Sequence, residues 1–94
     1  DIGCGPGYTT KIIHDNGINV LGIDLNEQLV AMAKNEGLPV EKIDALEAIE
    51  KKGKEYSFFL MSDFVEHVPL QVVFDILNKI KEIRGARIFI CTPN

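Results

Sequence analysis

Asp1-Ile2-Gly3-Cys4-Gly5-Pro6-Gly7 sets glycine at every second position and an acid two residues ahead of the first. A ligand lying across the end of a strand must approach the backbone closely, and a Cβ at these positions would obstruct it. Pro6 fixes one backbone angle and stiffens the bend. A helix starting just beyond presents N–H groups that none of its own carbonyls can satisfy. The dinucleotide fingerprint G-x-G-x-x-G needs glycine at position 8, where this chain has Tyr8. That spacing weighs against an NAD-dependent oxidoreductase, which stays as the rival enzyme reading.

Acids recur further along. Asp24 closes the run Ile18-Asn-Val-Leu-Gly-Ile-Asp24, about 20 residues past the first glycine, where a carboxylate typically takes both hydroxyls of a ribose. Asp24 to Glu27 also has the spacing of a capping box, and Asn26 is a competing cap. Asp44-Ala45 follows the apolar stretch Pro39 to Ile43, and Asp44 could cap the helix beyond. The segment Phe58-Phe-Leu-Met-Ser-Asp-Phe-Val-Glu-His-Val68 adds Ser62, Asp63, Glu66 and His67. An imidazole titrates near working pH, so His67 could take a proton from a hydroxyl. The alternatives are a turn held by Glu66, since Asp63 to Glu66 has capping-box spacing, and a solvent-exposed His67 ahead of Pro69. Cys4 and Cys91 have no metal-ligand spacing, so no metal is expected, and both read as small buried or half-buried side chains in a reducing cytoplasm.

Strands and helices alternate strictly. Asp1-Ile2 ends a first strand. Helix over Tyr8 to Asn16, strand over Ile18 to Ile23, helix over Asn26 to Glu36, strand over Pro39 to Ile43, helix over Ala45 to Lys52 and strand over Tyr56 to Met61 follow. Leu70 to Arg84 is the clearest helix, with Val73, Ile76, Leu77, Ile80 and Ile83 at spacings of three and four. Ala86 to Cys91 is the last strand. Gly17, Gly37, Gly53 and Gly85 each follow a helix and are expected to close it in the left-handed conformation. Phe58, Phe59, Phe64 and Phe74 are expected in the core, and the strands, apolar on both faces, under helices on both sides. This is an α/β, doubly wound, mostly parallel five-stranded sheet.

With 94 residues the chain is at most one domain, 1–94. Its net charge of −4 weighs against a nucleic-acid partner. Runs such as Phe58 to Met61 are far too short to span a bilayer, and the first residues carry no signal-peptide pattern, so a cytoplasmic protein is expected. Oligomeric state is not legible.

The opening motif resembles motif I, [DE]-x-G-x-G-x-G, of the class I, Rossmann-like S-adenosylmethionine-dependent methyltransferases. Phe58 to Val68 and Cys91-Thr-Pro-Asn94 resemble the ubiquinone O-methyltransferases and the broad type 11/12 groups. The resemblance implies strand order 3-2-1-4-5 and S-adenosylmethionine as cofactor. It implies that Asp1, Gly3, Cys4, Gly5 and Gly7 wrap the methionine portion, that Asp24 holds the ribose and that Leu25 packs on adenine. Asp44 would accept from the adenine amino group and the Ala45 N–H would meet a ring nitrogen. The backbone at Ser62 and Asp63 would meet the amino-acid end, and Glu66 and His67 would face a small-molecule acceptor, with oxygen favoured. Members of the family are commonly longer, so the chain reads as a core truncated at both ends and inactive alone. The other alternative is a catalytically inactive module on the same fold.

Overall fold

The computed structural model describes residues 1–92; Pro93 and Asn94, read above as part of the segment after the fifth strand, lie outside the described residues. Strands β1 (Gly22–Asp24) and β2 (Val40–Lys42) pair in parallel, as do β3 (Phe58–Ser62) and β4 (Arg87–Cys91). Asp1 and Ile2 lie between the two pairs. On one side the Ile23 N–H donates to the Asp1 carbonyl at 2.9 Å and the Gly3 N–H to the Ile23 carbonyl at 2.8 Å. On the other the Ile2 N–H donates to the Leu60 carbonyl at 2.8 Å. The lateral order is β2, β1, Asp1–Ile2, β3, β4, which is the expected 3-2-1-4-5 when Asp1–Ile2 counts as the first strand.

Helices α1 (Tyr8–Asp15), α2 (Glu27–Asn35), α3 (Ala45–Lys52) and α4 (Leu70–Lys81) connect these strands, and they divide between the two faces. Successive residues of a strand point to opposite faces. Ile23 enters the cluster of Ile2, Ile49, Phe59, Met61, Ile76 and Ile80, which draws on α3 and α4. Its neighbour Gly22 faces Thr10 of α1, Cys4 and Val40, leaving no room for a Cβ. Cys4, Val30, Ala33, Leu38 and Val40 form the second cluster, around α2.

Several expectations need correction. The second strand is not Ile18 to Ile23 but Gly22–Asp24, because the Ile18 N–H is spent on the Ile13 carbonyl at the end of α1 and pairing with Pro39 begins only at Gly22. Helix α4 stops at Lys81, where Glu82 and Ile83 bond three residues back, to Lys79 and Ile80, and tighten the last turn. Gly17, Gly37 and Gly85 take the left-handed conformation as expected, but Gly53 does not: its φ is −55° and it opens the short 3-10 turn Gly53–Glu55. Gly53 is needed for space, since a Cβ there would stand 2.8 Å from Ile83 Cδ1.

Phe59 is buried and Phe64 partly so, but Phe58 and Phe74 are exposed. Phe74 lies off the stripe of Val73, Ile76 and Ile80 that α4 turns inward, and β3 buries the alternate residues Phe59 and Met61. Nor, among the described residues, do helices cover both faces of β4, whose Ile88, Phe89 and Ile90 are 37%, 54% and 43% exposed. The centre of the core is Met61, Ile76 and Ile80. Truncating Ile76 to Ala removes buried methylenes at the α4–sheet contact and is expected to lower the unfolding free energy by about 2–5 kcal/mol in urea titrations.

Candidate functional site

The bend from Gly3 to Gly7 is built on positive φ angles, 71° at Gly3, 55° at Gly5 and 91° at Gly7. L-residues with a Cβ pay a steric cost in this region. Gly3 has a second constraint, because a Cβ there would enter the ring of Phe64. The bend is tied down by its own amides. Gly3 and Cys4 both donate to the Ile23 carbonyl, at 2.8 and 2.9 Å, and Gly7 donates to the Cys4 carbonyl at 3.0 Å. Gly7 precedes the first turn of α1 and its carbonyl accepts from Lys11 at 2.8 Å.

Because the strands are parallel, their C-terminal ends share one rim, and the chain reverses its direction of winding between Asp1–Ile2 and β3. Ligands of such sheets bind at that crevice. A cavity of about 400 Å³ opens there. Gly3, Asp24, Leu25, Asp44, Ala45 and Asp63 line it, with His67 and an apolar wall of Ile43, Leu46, Phe64, Val68 and Val72. Its size lies in the ordinary range for small-molecule sites, about 300–1,000 Å³.

The carboxylates are oriented by backbone. Asp24 Oδ2 accepts from the Gly5 N–H at 2.9 Å and Oδ1 from the Asn26 N–H at 2.8 Å. The cap of α2 is Asn26, whose side chain accepts from the Leu29 N–H at 3.0 Å, so the capping-box alternative for Asp24 does not hold. Asp44 does cap α3: its Oδ2 accepts from Leu46 and Glu47 at 3.1 and 3.3 Å. Asp63 stands at φ 56°, the one positive value outside glycine among the described residues, and its N–H donates to the Cys91 carbonyl at 2.7 Å. Short polar side chains tolerate that conformation best.

His67 sits in the 3-10 turn Val65–His67 with its side chain 73% exposed. Its Nε2 is 3.4 Å from Glu66 Oε1, and the other Glu66 oxygen accepts from the Thr92 hydroxyl. Glu66 therefore ties the turn to the end of β4 rather than closing a box with Asp63.

Other sequence-selected residues lie behind the cavity wall. The Asp1 carboxylate accepts from the hydroxyl of the fully buried Thr10 at 2.7 Å. Cys4 belongs to the α2 core cluster. Gly5 and Gly7 shape the bend, while Ser62 and Glu66 stand beside the cavity without lining it. Sequence reasoning placed Phe64 in the core and missed it as a wall of the cavity; its only signal was its place directly after Asp63. A second cavity, of about 310 Å³, is walled mainly by apolar residues such as Ile13, Val20, Ile49 and Phe58, and gathers no set of carboxylates.

Residues 1–86 match the family described as "Methyltransferase domain". The chain belongs to this family. The methyltransferase domain is 29% identical to the ubiquinone biosynthesis O-methyltransferase of Dechloromonas aromatica, covering 100% of this chain and 43% of the relative. To the enzyme of that name from Methylococcus capsulatus it is 33% identical, over 73% of this chain and 32% of the relative. The chain thus spans less than half the length of these curated relatives. Among solved structures, an S-adenosylmethionine-dependent methyltransferase from Archaeoglobus fulgidus superposes with TM-score 0.87 at 30% identity, covering 100% of this chain and 43% of that one. A Pyrococcus horikoshii protein at 16% identity shares the fold, with TM-score 0.83 over 96% of this chain and 46% of that one. The fold is the Rossmann-like methyltransferase core.

Burial, and then the negative charge of Asp24, push the Cys4 thiol up to about 11. The unfolded thiol, near 9.0, loses its proton first as pH rises, so the folded state binds more protons between the two values and loses stability across that window. At pH 8 iodoacetamide should alkylate the exposed Cys91 and spare Cys4, whose thiolate fraction is about a hundredfold below that of an ordinary thiol. Peptide mass spectrometry reads both sites, and equal labelling in the folded chain would contradict the burial of Cys4.

Proposed function

We propose that this methyltransferase domain binds S-adenosylmethionine in the rim cavity and serves methyl transfer to an oxygen of a small-molecule acceptor. The supporting observation is the convergence of Gly3, Asp24 and Asp44 on one cavity at the switch point of a parallel sheet. The residues fit the cofactor in three ways. Gly3 lets the Phe64 ring lie against the bend as a wall of the cavity, where a Cβ would collide with it. Each Asp24 oxygen accepts one backbone hydrogen bond, which leaves acceptor capacity for the two hydroxyls of a ribose. Asp44 caps α3 through Oδ2, and its Oδ1 remains for an amino group.

In this reading Leu25 and the apolar wall pack against adenine, and the Ala45 N–H faces a ring nitrogen. Asp63 has committed its N–H to Cys91, so it offers oxygen acceptors suited to an ammonium group. The cofactor supplies a methyl group activated on a sulfonium. The protein's part is largely to hold donor and acceptor in line, which accounts for much of the rate in such displacements. His67, a lining residue with an exposed side chain, would take the proton of an acceptor hydroxyl, with Glu66 beside it. The names of the Dechloromonas and Methylococcus relatives support oxygen as the accepting atom. Tyr8 in place of the third glycine, together with the family match, argues against NAD, and the retained carboxylates argue against an inactive module.

Calorimetry with S-adenosylhomocysteine and with NAD tests the reading: the first should bind and the second should not. Asp44→Asn keeps a capping oxygen but turns an NH₂ donor toward the adenine amino group. It should leave unfolding unchanged and weaken S-adenosylhomocysteine by about 1.5–3 kcal/mol. Full affinity in this variant would remove Asp44 from the site.

A further inference from the structure

We infer that Asp24 is a positioning residue for the glycine bend as well as a ligand contact, and that it holds the bend before any cofactor arrives. This deepens the ribose assignment and rests on it only for the second of the two roles. The observation is that one carboxylate bridges two backbone segments. Its Oδ2 accepts from the Gly5 N–H, 19 residues back in the chain, and its Oδ1 from the Asn26 N–H, two residues on. Gly5 is the middle of the bend, at φ 55°, and a Cβ there would meet only Leu29 Cδ1 at 3.9 Å. Packing therefore does little to locate it, whereas the bends at Gly3 and Gly7 lie against Phe64 and against Leu38 and Ala33. The bond to Asp24, at 2.9 Å, is the strong polar restraint at the crest of the loop, beside a weaker one from the Cys4 thiol, which donates to the Gly5 carbonyl at 3.6 Å.

An ionised carboxylate has about four acceptor sites on two oxygens. Gly5 and Asn26 use one on each oxygen, so a vicinal diol can take the remaining pair without displacing either amide. Asp24 can therefore order the loop and bind the ribose at once. The ordering cost of the bend is met in the free protein, which is how preorganisation raises affinity. Asparagine, almost the same shape, cannot repeat this. It has a single acceptor oxygen, and its NH₂ group must face either the Gly5 or the Asn26 N–H, donor against donor.

The test uses the full chain, ¹⁵N-labelled and free of ligand. In the wild type, the Gly5 amide should already be protected from exchange without cofactor, as an amide held by a carboxylate. In Asp24→Ala, which removes both acceptor oxygens where asparagine would keep one, exchange of the Gly5 amide should speed up by about tenfold to a hundredfold, as for loss of a hydrogen bond to a charged acceptor. The Ile2 and Ile23 amides, bonded within the sheet, should keep their protection and report that the fold is intact. Unchanged Gly5 exchange in the folded variant overturns the inference. So does a wild-type Gly5 amide that exchanges as fast as an unprotected one, and this wild-type reading decides the matter if the variant does not fold. Neither measurement involves cofactor. A chain that passes both and ignores S-adenosylhomocysteine keeps the tether and loses the ribose role; one that binds S-adenosylhomocysteine and fails either keeps only the ribose role.

Discussion

Two residues hold the halves of this sheet together. Asp1 and Ile2 exchange backbone hydrogen bonds with Ile23 on one side and Leu60 on the other, and Ile2 is buried among side chains from both halves. Backbone groups at such a seam must be paired, since an orphaned buried amide costs as much as a lost bond. The pairing also fixes register. A slip of one residue would turn Ile2 away from the core and move Gly3 off the rim. That Gly3, Asp24 and Asp63 meet at a single crevice follows from this alignment, because each lies at or just past the C-terminal end of a parallel strand.

At the rim, groups that serve the fold also face the cavity. Asp44 divides its two oxygens between the first turn of α3 and the open side. Asp63 spends its amide on β4 and keeps its oxygens. Asp24, Asp44 and Asp63 give the cavity acceptors, and among the described residues no lysine or arginine lines it. Such a lining suits hydroxyl, amino and ammonium groups and repels phosphates. The field of Asp24 reaches as far as the Cys4 thiol behind the bend, where it adds to burial in keeping the proton on sulfur.

The features legible from sequence were those that depend on local backbone and spacing. Alternating glycines announced the bend, and the stripe of Val73, Ile76 and Ile80 announced α4. Acids at successive strand ends marked the rim. Features decided by distant neighbours were not legible. Gly53 looks in sequence like Gly17 and Gly37, yet its role comes from the Ile83 methyl above it. Phe64 reads as core because nothing nearby says that its ring lies over Gly3. The competition between Asp24 and Asn26 for the cap could not be resolved by spacing that fits both; it is settled by the Gly5 amide, which claims an Asp24 oxygen from across the sheet.

The bare flank of β4 has a consequence for handling the protein. Arg87–Cys91 forms one side of its ladder with β3, and among the described residues no other strand pairs with it. An edge that carries Ile88, Phe89 and Ile90 can template further strands, and only Arg87 supplies the charge that usually discourages this. For these 94 residues handled alone, association through this edge should therefore grow with concentration and with salt that screens their net negative charge, and dilute, low-salt buffer should limit it.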